Sequence, residues 1–268
     1  MSKPKALVLT GYGINCDYET EFAFNQAGAR AERVHINNLI EGQKKLGEYQ
    51  ILAFPGGFSY GDDIAGGKVL AVKTKTNLGD ELRRFIEEDK LIIGVCNGFQ
   101  VMVKYGLLPA LNNNYQIQTN TLSFNDSGRF EDRWVNMKRM SDKCVFTRGL
   151  ERIYLPVAHG EGKFFASEDT LKTLHDNQQV VFKYSDEEGR PAEGRFPFNP
   201  NGSLKDIAGI CDASGRIFGI MPHPERFLHF TNHPRWPYLK ERLKRAGKPI
   251  PTIGEGMKIF QNAVEYYE

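Results

Sequence analysis

The sequence predicts an α/β protein with a parallel sheet covered by helices on both faces, and three observations support this class. Short apolar runs alternate with amphipathic segments up to about residue 115. Beyond that point the apolar residues follow a period of two. The chain has 268 residues, which is long enough to bury a sizeable core. Strands that alternate with helices form parallel sheets because each helix carries the chain back across the sheet.

The alternating half of the chain supplies the first elements. Apolar or alternating runs predict strands at 5–11, 29–36, 49–57 and 91–96. The third of these strands should be buried and should end in a Pro-Gly-Gly turn. Helical spacing of apolar residues predicts helices around 21–23, over 77–90 and over 98–108. The first helix is expected to end at Gly28.

The period-two half predicts strands in an antiparallel or mixed arrangement. These strands lie within 117–126, 133–140 and 178–186, and another buried strand lies within 215–225. The change of period indicates that the sheet is extended, or accompanied, by antiparallel strands.

The C-terminal part is predicted to be an extension of a main domain. The main domain covers 1–230, and the extension covers 231–268 and ends in a helix packed on the same domain. Met257, Phe260 and Val264, together with Tyr267, share one face of that helix. The preceding stretch, 232–252, is rich in proline and basic residues. A surface loop with a short helix is the favoured interpretation, and a partner-binding appendage is the alternative.

Composition excludes several classes of protein. The formal net charge of +2 is too small to indicate a nucleic-acid partner or a membrane surface. No stretch approaches the ~20 apolar residues of a membrane span. The four cysteines (Cys16, Cys96, Cys144 and Cys211) are far apart and form no CxxC pair. This spacing argues against a metal site or a disulfide framework and is typical of the reducing cytoplasm.

The stretch IIGVCNGFQVM, residues 92–102, has the pattern of a nucleophile elbow. A strand leads into G-x-C-x-G and then a helix, and Gly94 and Gly98 leave room where neighbouring Cβ atoms would collide. Cys96 would then lie at a helix N-terminus, where the dipole and free N–H groups favour the thiolate. The N–H of Asn97 would point at a developing oxyanion. The alternative is a buried cysteine in a glycine-rich βα turn.

Two histidines compete as the base for this thiol. His159 precedes Glu161 by two residues, and His223 precedes Glu225 by two. Residues i and i+2 of an extended chain point to the same side, so either carboxylate could orient its own imidazole. Pro222 and Pro224 restrict the backbone around His223, whereas glycines flank His159 and suit a loop that contacts a ligand. The residues favour His223 but leave His159 open.

Glycines at two other turns complete the candidate features. FPGGFSYGDD, residues 54–63, ends a strand at Gly56 and Gly57, and a glycine N–H there could act as a second oxyanion donor; a plain turn is the alternative. GYGINC, residues 11–16, only half matches a dinucleotide-binding pattern and is interpreted as a plain βα turn. The chain contains no G-x-x-x-x-G-K-[ST] phosphate loop.

Taken together, GGFSYGDD, GVCNGFQ, AHGEG and MPHPER resemble the class I (triad) glutamine amidotransferases. More narrowly they are similar to the glutaminase subunits of phosphoribosylformylglycinamidine synthase. The resemblance implies a flavodoxin-like three-layer sandwich with a central, mostly parallel sheet and a smaller antiparallel sheet. It implies Cys96 as nucleophile, His223 as general acid–base and Glu225 as its orienting carboxylate. It also implies an oxyanion hole from the amides of Gly57 and Asn97.

The same resemblance implies the substrate, the partners and the cofactors. It places Phe58, Gln100, His159, Gly160 and Glu161 near a pocket for L-glutamine. It implies ammonia transfer to a synthetase subunit that uses ATP and Mg²⁺, with a small third subunit bridging the two. This chain itself would need no metal or cofactor. Three alternatives are a glutaminase for another synthesis, such as that of carbamoyl phosphate, a stand-alone cysteine hydrolase, and a non-catalytic regulatory subunit.

Overall fold

The computed structural model describes residues 3–268, within which strands and helices alternate as predicted. The strands are β1 Lys5–Thr10, β2 Arg30–His35, β3 Ile51–Phe54, β4 Leu91–Val95, β5 Asn120–Ser123, β6 Glu131–Arg139, β7 Arg152–His159, β8 Lys163–Ala166, β9 Val180–Ser185, β10 Ile207–Cys211 and β11 Ile217–Ile220. The helices are α1 Asp17–Gln26, α2 Ile36–Ile40, α3 Lys68–Glu87, α4 Asn97–Tyr105, α5 Glu168–Asp176, α6 Trp236–Arg245 and α7 Met257–Glu265.

One nine-stranded sheet forms the centre of the described chain, in the order β2-β1-β3-β4-β11-β10-β9-β6-β7. The five strands from β2 to β11 run parallel. Antiparallel pairs then extend the same sheet as far as β7. A separate antiparallel pair joins β5 to β8. The predicted α/β class, with its parallel sheet and smaller antiparallel sheet, is confirmed.

The order of the parallel strands places helices on both faces. The chain moves from β1 to β2 in one direction along the sheet and from β2 through β3 to β4 in the other. Right-handed crossovers therefore put α1 on one face and α2 and α3 on the opposite face. Helix α7 returns to the first face, where Phe260 packs edge-on against Phe24 of α1 at 5.0 Å between ring centroids.

Several elements of the second half were not predicted. Strand β7 contains Pro156, which cannot donate to a ladder, and proline is tolerated there because β7 is the edge of the sheet. Helix α5 could have been predicted, since Ser167 is an N-cap residue whose side chain accepts from the Thr170 N–H.

In the first half of the chain, helix α3 is longer than predicted. It begins at Lys68, well before the predicted start at 77.

The C-terminal extension contains two different helices. Helix α6 is on the surface and none of its residues is buried. Helix α7 packs on the main domain, where Asn262 donates to the carbonyls of Phe146 and Arg148, both at 2.9 Å. Within residues 3–268, no helix combines the length and apolar character that crossing a membrane requires.

Candidate active site

Cys96 occupies the sharp turn between β4 and α4. Its backbone has φ 50 and ψ −106, a conformation that L-residues adopt only under strain. A Cβ on Gly94 would collide with the Met102 side chain, and one on Gly98 would collide with the Phe54 carbonyl. The turn therefore needs glycine on both sides of the cysteine, as the elbow pattern predicts.

His223 reaches the same edge of the sheet as Cys96 because β11 and β4 are parallel neighbours. Ile220 pairs with Val95 in the register of the two strands, so the residues that follow both strands leave the sheet together. His223 Nδ1 lies 2.6 Å from Glu225 Oε1, and both side chains are almost fully buried. Topology thus brings the nucleophile and the imidazole together across a long stretch of sequence.

The carboxylate meets its imidazole for a different reason from the one predicted. Glu225 belongs to a short 3-10 turn, Pro224–Arg226, and not to an extended chain. The turn folds the carboxylate back onto Nδ1, while Nε2 and Glu225 Oε2 have no partner among the described residues. A carboxylate on Nδ1 fixes the tautomer and leaves Nε2 available to exchange a proton.

The charge of His223 is set by its buried neighbours. Burial by itself would lower the pKa of this imidazole, but the Glu225 carboxylate and the Cys96 sulfur raise it well above the ordinary value of 6.5. The imidazolium form is therefore favoured at neutral pH. A protonated imidazole beside a thiol supports the thiolate that nucleophilic attack requires.

His159 does not compete for this role. Its ring donates from Nδ1 to Asn125 Oδ1 at 3.1 Å, and Nε2 lies 3.5 Å from the Asn201 amide. Burial and the neighbouring His223 lower its pKa to about 3, so the ring is neutral. Glu161 points away from His159 and instead accepts from the Gly66 N–H at 3.1 Å. The possibility that Glu161 orients His159 was wrong, because the carboxylate binds the Gly66 N–H and the ring binds Asn125 instead.

Gly57 and Asn97 are the two residues whose main-chain N–H groups were assigned to an oxyanion hole. Neither amide takes part in the hydrogen bonds found among residues 3–268. Gly57 has φ +147, and a Cβ there would lie 2.6 Å from the Gly13 carbonyl oxygen. The Asn97 side chain accepts from the Ser59 N–H at 3.1 Å and so ties the glycine turn to α4. Both amides are therefore free to donate, which is the first requirement of an oxyanion hole.

Replacing Gly57 by alanine is expected to lower kcat about 10²- to 10³-fold, the usual cost of losing one oxyanion donor. The added methyl group would collide with the turn at Gly13–Asn15, so the Gly57 peptide must move and its amide turn away. Steady-state kinetics measures the loss, and KM should change little. Gly42→Ala is the matched control, because Gly42 also has positive φ (+71) but an added Cβ meets nothing within 4 Å. Equal activity of the two variants would contradict the assignment.

The other residues assigned to the glutamine pocket fall into two groups. Phe58 is exposed, with 44% of its surface accessible, and faces Phe130. Gln100 is buried and braced, since it donates to the Glu161 carbonyl at 2.6 Å and accepts from Asn97 at 2.9 Å. The Gly160 carbonyl accepts from the Asn125 N–H. The His159–Glu161 segment and Gln100 therefore form one braced wall.

Two partly buried charged residues next to this wall, Asp62 and Lys104, were missed by sequence reasoning. Asp62 accepts from Asn97 Nδ2 at 3.1 Å, and burial raises the pKa of its carboxyl. Lys104 donates to the Gly66 carbonyl at 2.6 Å and lies 3.6 Å from Glu161. Burial lowers the pKa of Lys104. Asp62 lies in the stretch FPGGFSYGDD, which the sequence analysis singled out only for its glycines.

A metal interpretation of the buried donors does not fit their spacing. Cys16, His223 and Glu225 offer ligand atoms within 4.8 Å of one another. The Nδ1–Oε1 separation of 2.6 Å is that of a hydrogen bond. Two donors bound to a tetrahedral zinc ion lie about 3.3 Å apart, given bond lengths near 2.0–2.1 Å. The group is a hydrogen-bonded dyad with a thiol beside it.

A strained cysteine served by a carboxylate-bound imidazole, with free amides alongside, defines a protein that transfers acyl groups through a thioester. Comparison with known proteins specifies the class. The family model described as the CobB/CobQ-like glutamine amidotransferase domain matches residues 3–267. The match runs on from the main domain through most of the C-terminal extension.

Two curated relatives and one solved structure narrow the assignment. Phosphoribosylformylglycinamidine synthase subunit PurQ of Methanococcus maripaludis is 51% identical over 265 residues, covering 98% of this chain and 97% of the relative. The subunit PurQ of Dehalococcoides mccartyi is 49% identical, covering 99% and 98%. The structure of PurLQS from Thermotoga maritima contains a chain that matches with a TM-score of 0.73 and 29% identity, with complete coverage of both. The chain belongs to the CobB/CobQ-like glutamine amidotransferases and, within them, to the PurQ family.

Proposed function

We propose that this chain, the glutaminase subunit of phosphoribosylformylglycinamidine synthase, hydrolyses L-glutamine at Cys96 with His223 and Glu225 as its acid–base pair. The observation that carries the proposal is the buried dyad, His223 Nδ1 to Glu225 Oε1 at 2.6 Å, beside the elbow of Cys96. The His159 ring is neutral and hydrogen-bonded to Asn125. His223 is therefore the imidazole that can move protons in this pocket.

The first half of the reaction forms a thioester. The Cys96 thiolate attacks the side-chain amide carbon of glutamine, and the electron pair of the C=O bond moves to oxygen. The N–H groups of Gly57 and Asn97 stabilise that charge. As the oxyanion collapses, the C–N bond breaks, and the His223 imidazolium gives its proton to the departing nitrogen. Ammonia and a γ-glutamyl thioester result.

The second half regenerates the enzyme. Neutral His223 removes a proton from water, and the hydroxide attacks the thioester carbon. The C–S bond breaks on collapse, releasing glutamate and the thiolate beside a renewed imidazolium. The Glu225 carboxylate stabilises the imidazolium through Nδ1 at both stages and remains ionised. Phe58, Gln100 and the His159–Glu161 wall would hold the glutamine side chain against the elbow.

The ammonia serves a synthetase subunit. That partner would bind ATP and Mg²⁺ and convert formylglycinamide ribonucleotide to formylglycinamidine ribonucleotide in purine biosynthesis. The Thermotoga maritima complex, PurLQS, supports a third component, and we propose a small subunit that bridges glutaminase and synthetase. The rate of glutamine-dependent synthesis with and without that subunit measures its role.

The state of the cysteines supports a cytoplasmic location. All four are free thiols, as is usual in a reducing compartment.

Labelling with a chloromethyl ketone analogue of glutamine tests the chemistry. We expect one adduct per chain, on Cys96, because this thiol alone combines the elbow with an adjacent imidazolium. Peptide mass spectrometry identifies the site, and Cys96→Ala, which should not be labelled, is the control. An adduct on Cys16, Cys144 or Cys211 in place of Cys96 would overturn the assignment. Turnover of peptides or γ-glutamyl chains in preference to glutamine would indicate a general cysteine hydrolase.

A further inference from the structure

The turn between β1 and α1, residues 11–16, lies directly on the glycine turn that carries the oxyanion donor. The N–H groups of Asn15 and Cys16 both donate to the Gly56 carbonyl at 3.2 Å. On the other side of Gly57, the Phe58 N–H donates to the Gly13 carbonyl at 2.8 Å. These bonds bracket Gly57 and hold its peptide. The sequence indicated a plain βα turn for this segment. The structure shows that the segment also holds the glycine turn of the active site in place.

The Cys16 side chain extends this frame to the catalytic imidazole. Cys16 is buried, with 2% of its surface accessible. A Cβ built on Gly56 would lie 2.8 Å from His223 Cε1 and 3.2 Å from Cys16 Sγ, so the ring edge and the sulfur border the same space beside this glycine. Cys16 Sγ lies within 4.8 Å of a ring nitrogen of His223. The sulfur is itself held in place, since Arg226 Nη2 donates to it at 3.2 Å.

A sulfur beside the His223 ring affects the charge of the imidazole, because the ring is surrounded by titratable groups. The ring faces charged or titratable groups from every segment around it: Glu225 and Arg226 on its own turn, Cys96 at the elbow, His159 at the end of β7, and Cys16. Glu225 and the two sulfurs favour the imidazolium. Arg226, the cation of the group, donates to Cys16, so the sulfur lies between guanidinium and imidazole.

We propose that Cys16 is a positioning residue for the hydrolysis of glutamine, which holds the His223 ring in place and stabilises its protonated form. The inference rests on the proposed function of His223 as the acid that protonates the leaving ammonia. Cys16 does not contact the substrate and forms no bond with it. It acts on the rate through His223, with Arg226 fixing the sulfur and Gly56 providing the space in which sulfur and ring meet.

The variant Cys16→Ala in the full chain tests this role. Without the sulfur, the pKa of His223 should fall, so the basic limb of the pH profile of kcat should move to lower pH. We expect kcat at the wild-type optimum to drop about 10-fold, part of the ~10²–10⁴ that general acid–base catalysis contributes. KM for glutamine should hold. NMR titration of ¹⁵N-labelled histidine reports the same change without catalysis. Cys16→Ser, which keeps a polar atom, should restore part of the wild-type profile.

Cys211→Ala is the matched control, since it removes a buried thiol of the core outside the site. This control should leave the pH profile unchanged. A uniform loss of kcat in Cys16→Ala, with an unmoved basic limb and an unmoved ¹⁵N titration, would show a purely structural role and overturn the proposal. Labelling of Cys96 in the same preparations separates this failure from failure of the proposed function, because an unlabelled Cys96 in the wild-type chain would contradict the latter.

Discussion

Replacing Cys96 by alanine is expected to abolish glutamine-dependent synthesis while leaving synthesis from free ammonia intact. The thiolate is the atom that bonds to the amide carbon, and loss of a nucleophile typically costs about 10⁴-fold or more in kcat. The synthetase active site is untouched and can take ammonia from solution. Both rates are measured on the complex of this chain with its synthetase subunit.

The structure indicates that this variant should fold. Alanine keeps the Cβ of Cys96, and the strained turn is maintained by Gly94 and Gly98, where larger residues would collide with neighbours. Circular dichroism and complex formation check that the fold persists. Loss of both glutamine- and ammonia-dependent synthesis in a folded, assembled variant would refute the division of roles. Residual glutamine hydrolysis near the wild-type rate would show that another residue is the nucleophile.

Replacing His223 by asparagine should lower kcat by about 10³- to 10⁴-fold, the scale of losing general acid–base catalysis. Asparagine can still donate a hydrogen bond to Glu225 but has no atom in place of Nε2. The imidazolium proton that reaches the leaving nitrogen is therefore lost. Wild-type activity should fall only as pH rises through the raised pKa of His223, above the range of an ordinary histidine. This basic limb should be absent from the variant. Stopped-time assays of glutamate release across pH measure both effects.

His175→Asn provides the control for this second variant. His175 lies on the surface with 79% of its side chain accessible, and it is outside the site. That variant should keep wild-type kcat and the wild-type pH profile. A basic limb that persists unchanged in His223→Asn would assign the titration to another group.

The elbow shows how far local chemistry can be predicted. Gly94, Cys96 and Gly98 lie within five positions, and the steric need for glycine is a property of the turn itself, so the pattern alone identified it. At Gly57 the residues left a plain turn and an oxyanion donor open, and the structure adds that a Cβ there would lie 2.6 Å from the Gly13 carbonyl oxygen. The His223–Glu225 pair was predicted correctly from its spacing, although a 3-10 turn and not an extended chain brings the two side chains together.

Contacts between distant segments were not predictable in this way. Cys16 had no neighbour in the sequence that marked it, and its partner Arg226 is 210 positions away. Asn125 and Asn201 contact the two ring nitrogens of His159. These contacts exclude His159 as the base, and nothing in the sequence predicted them. Strand β7 was missed because Pro156 breaks the strand pattern, which is permitted only at a sheet edge.

By itself, the sequence predicted the α/β class, the elbow at Cys96, the favoured pair of His223 and Glu225 and the glycine turn at Gly56 and Gly57, since period, turn sterics and short spacing are local properties of a chain. The tertiary structure alone decided that Ile220 pairs with Val95, so that Cys96 and His223 leave adjacent parallel strands at one edge. It also decided that His159 is neutral and braced and that Cys16 lies beside the catalytic ring. Register and burial set these features, and both depend on which strands pair across the whole sheet.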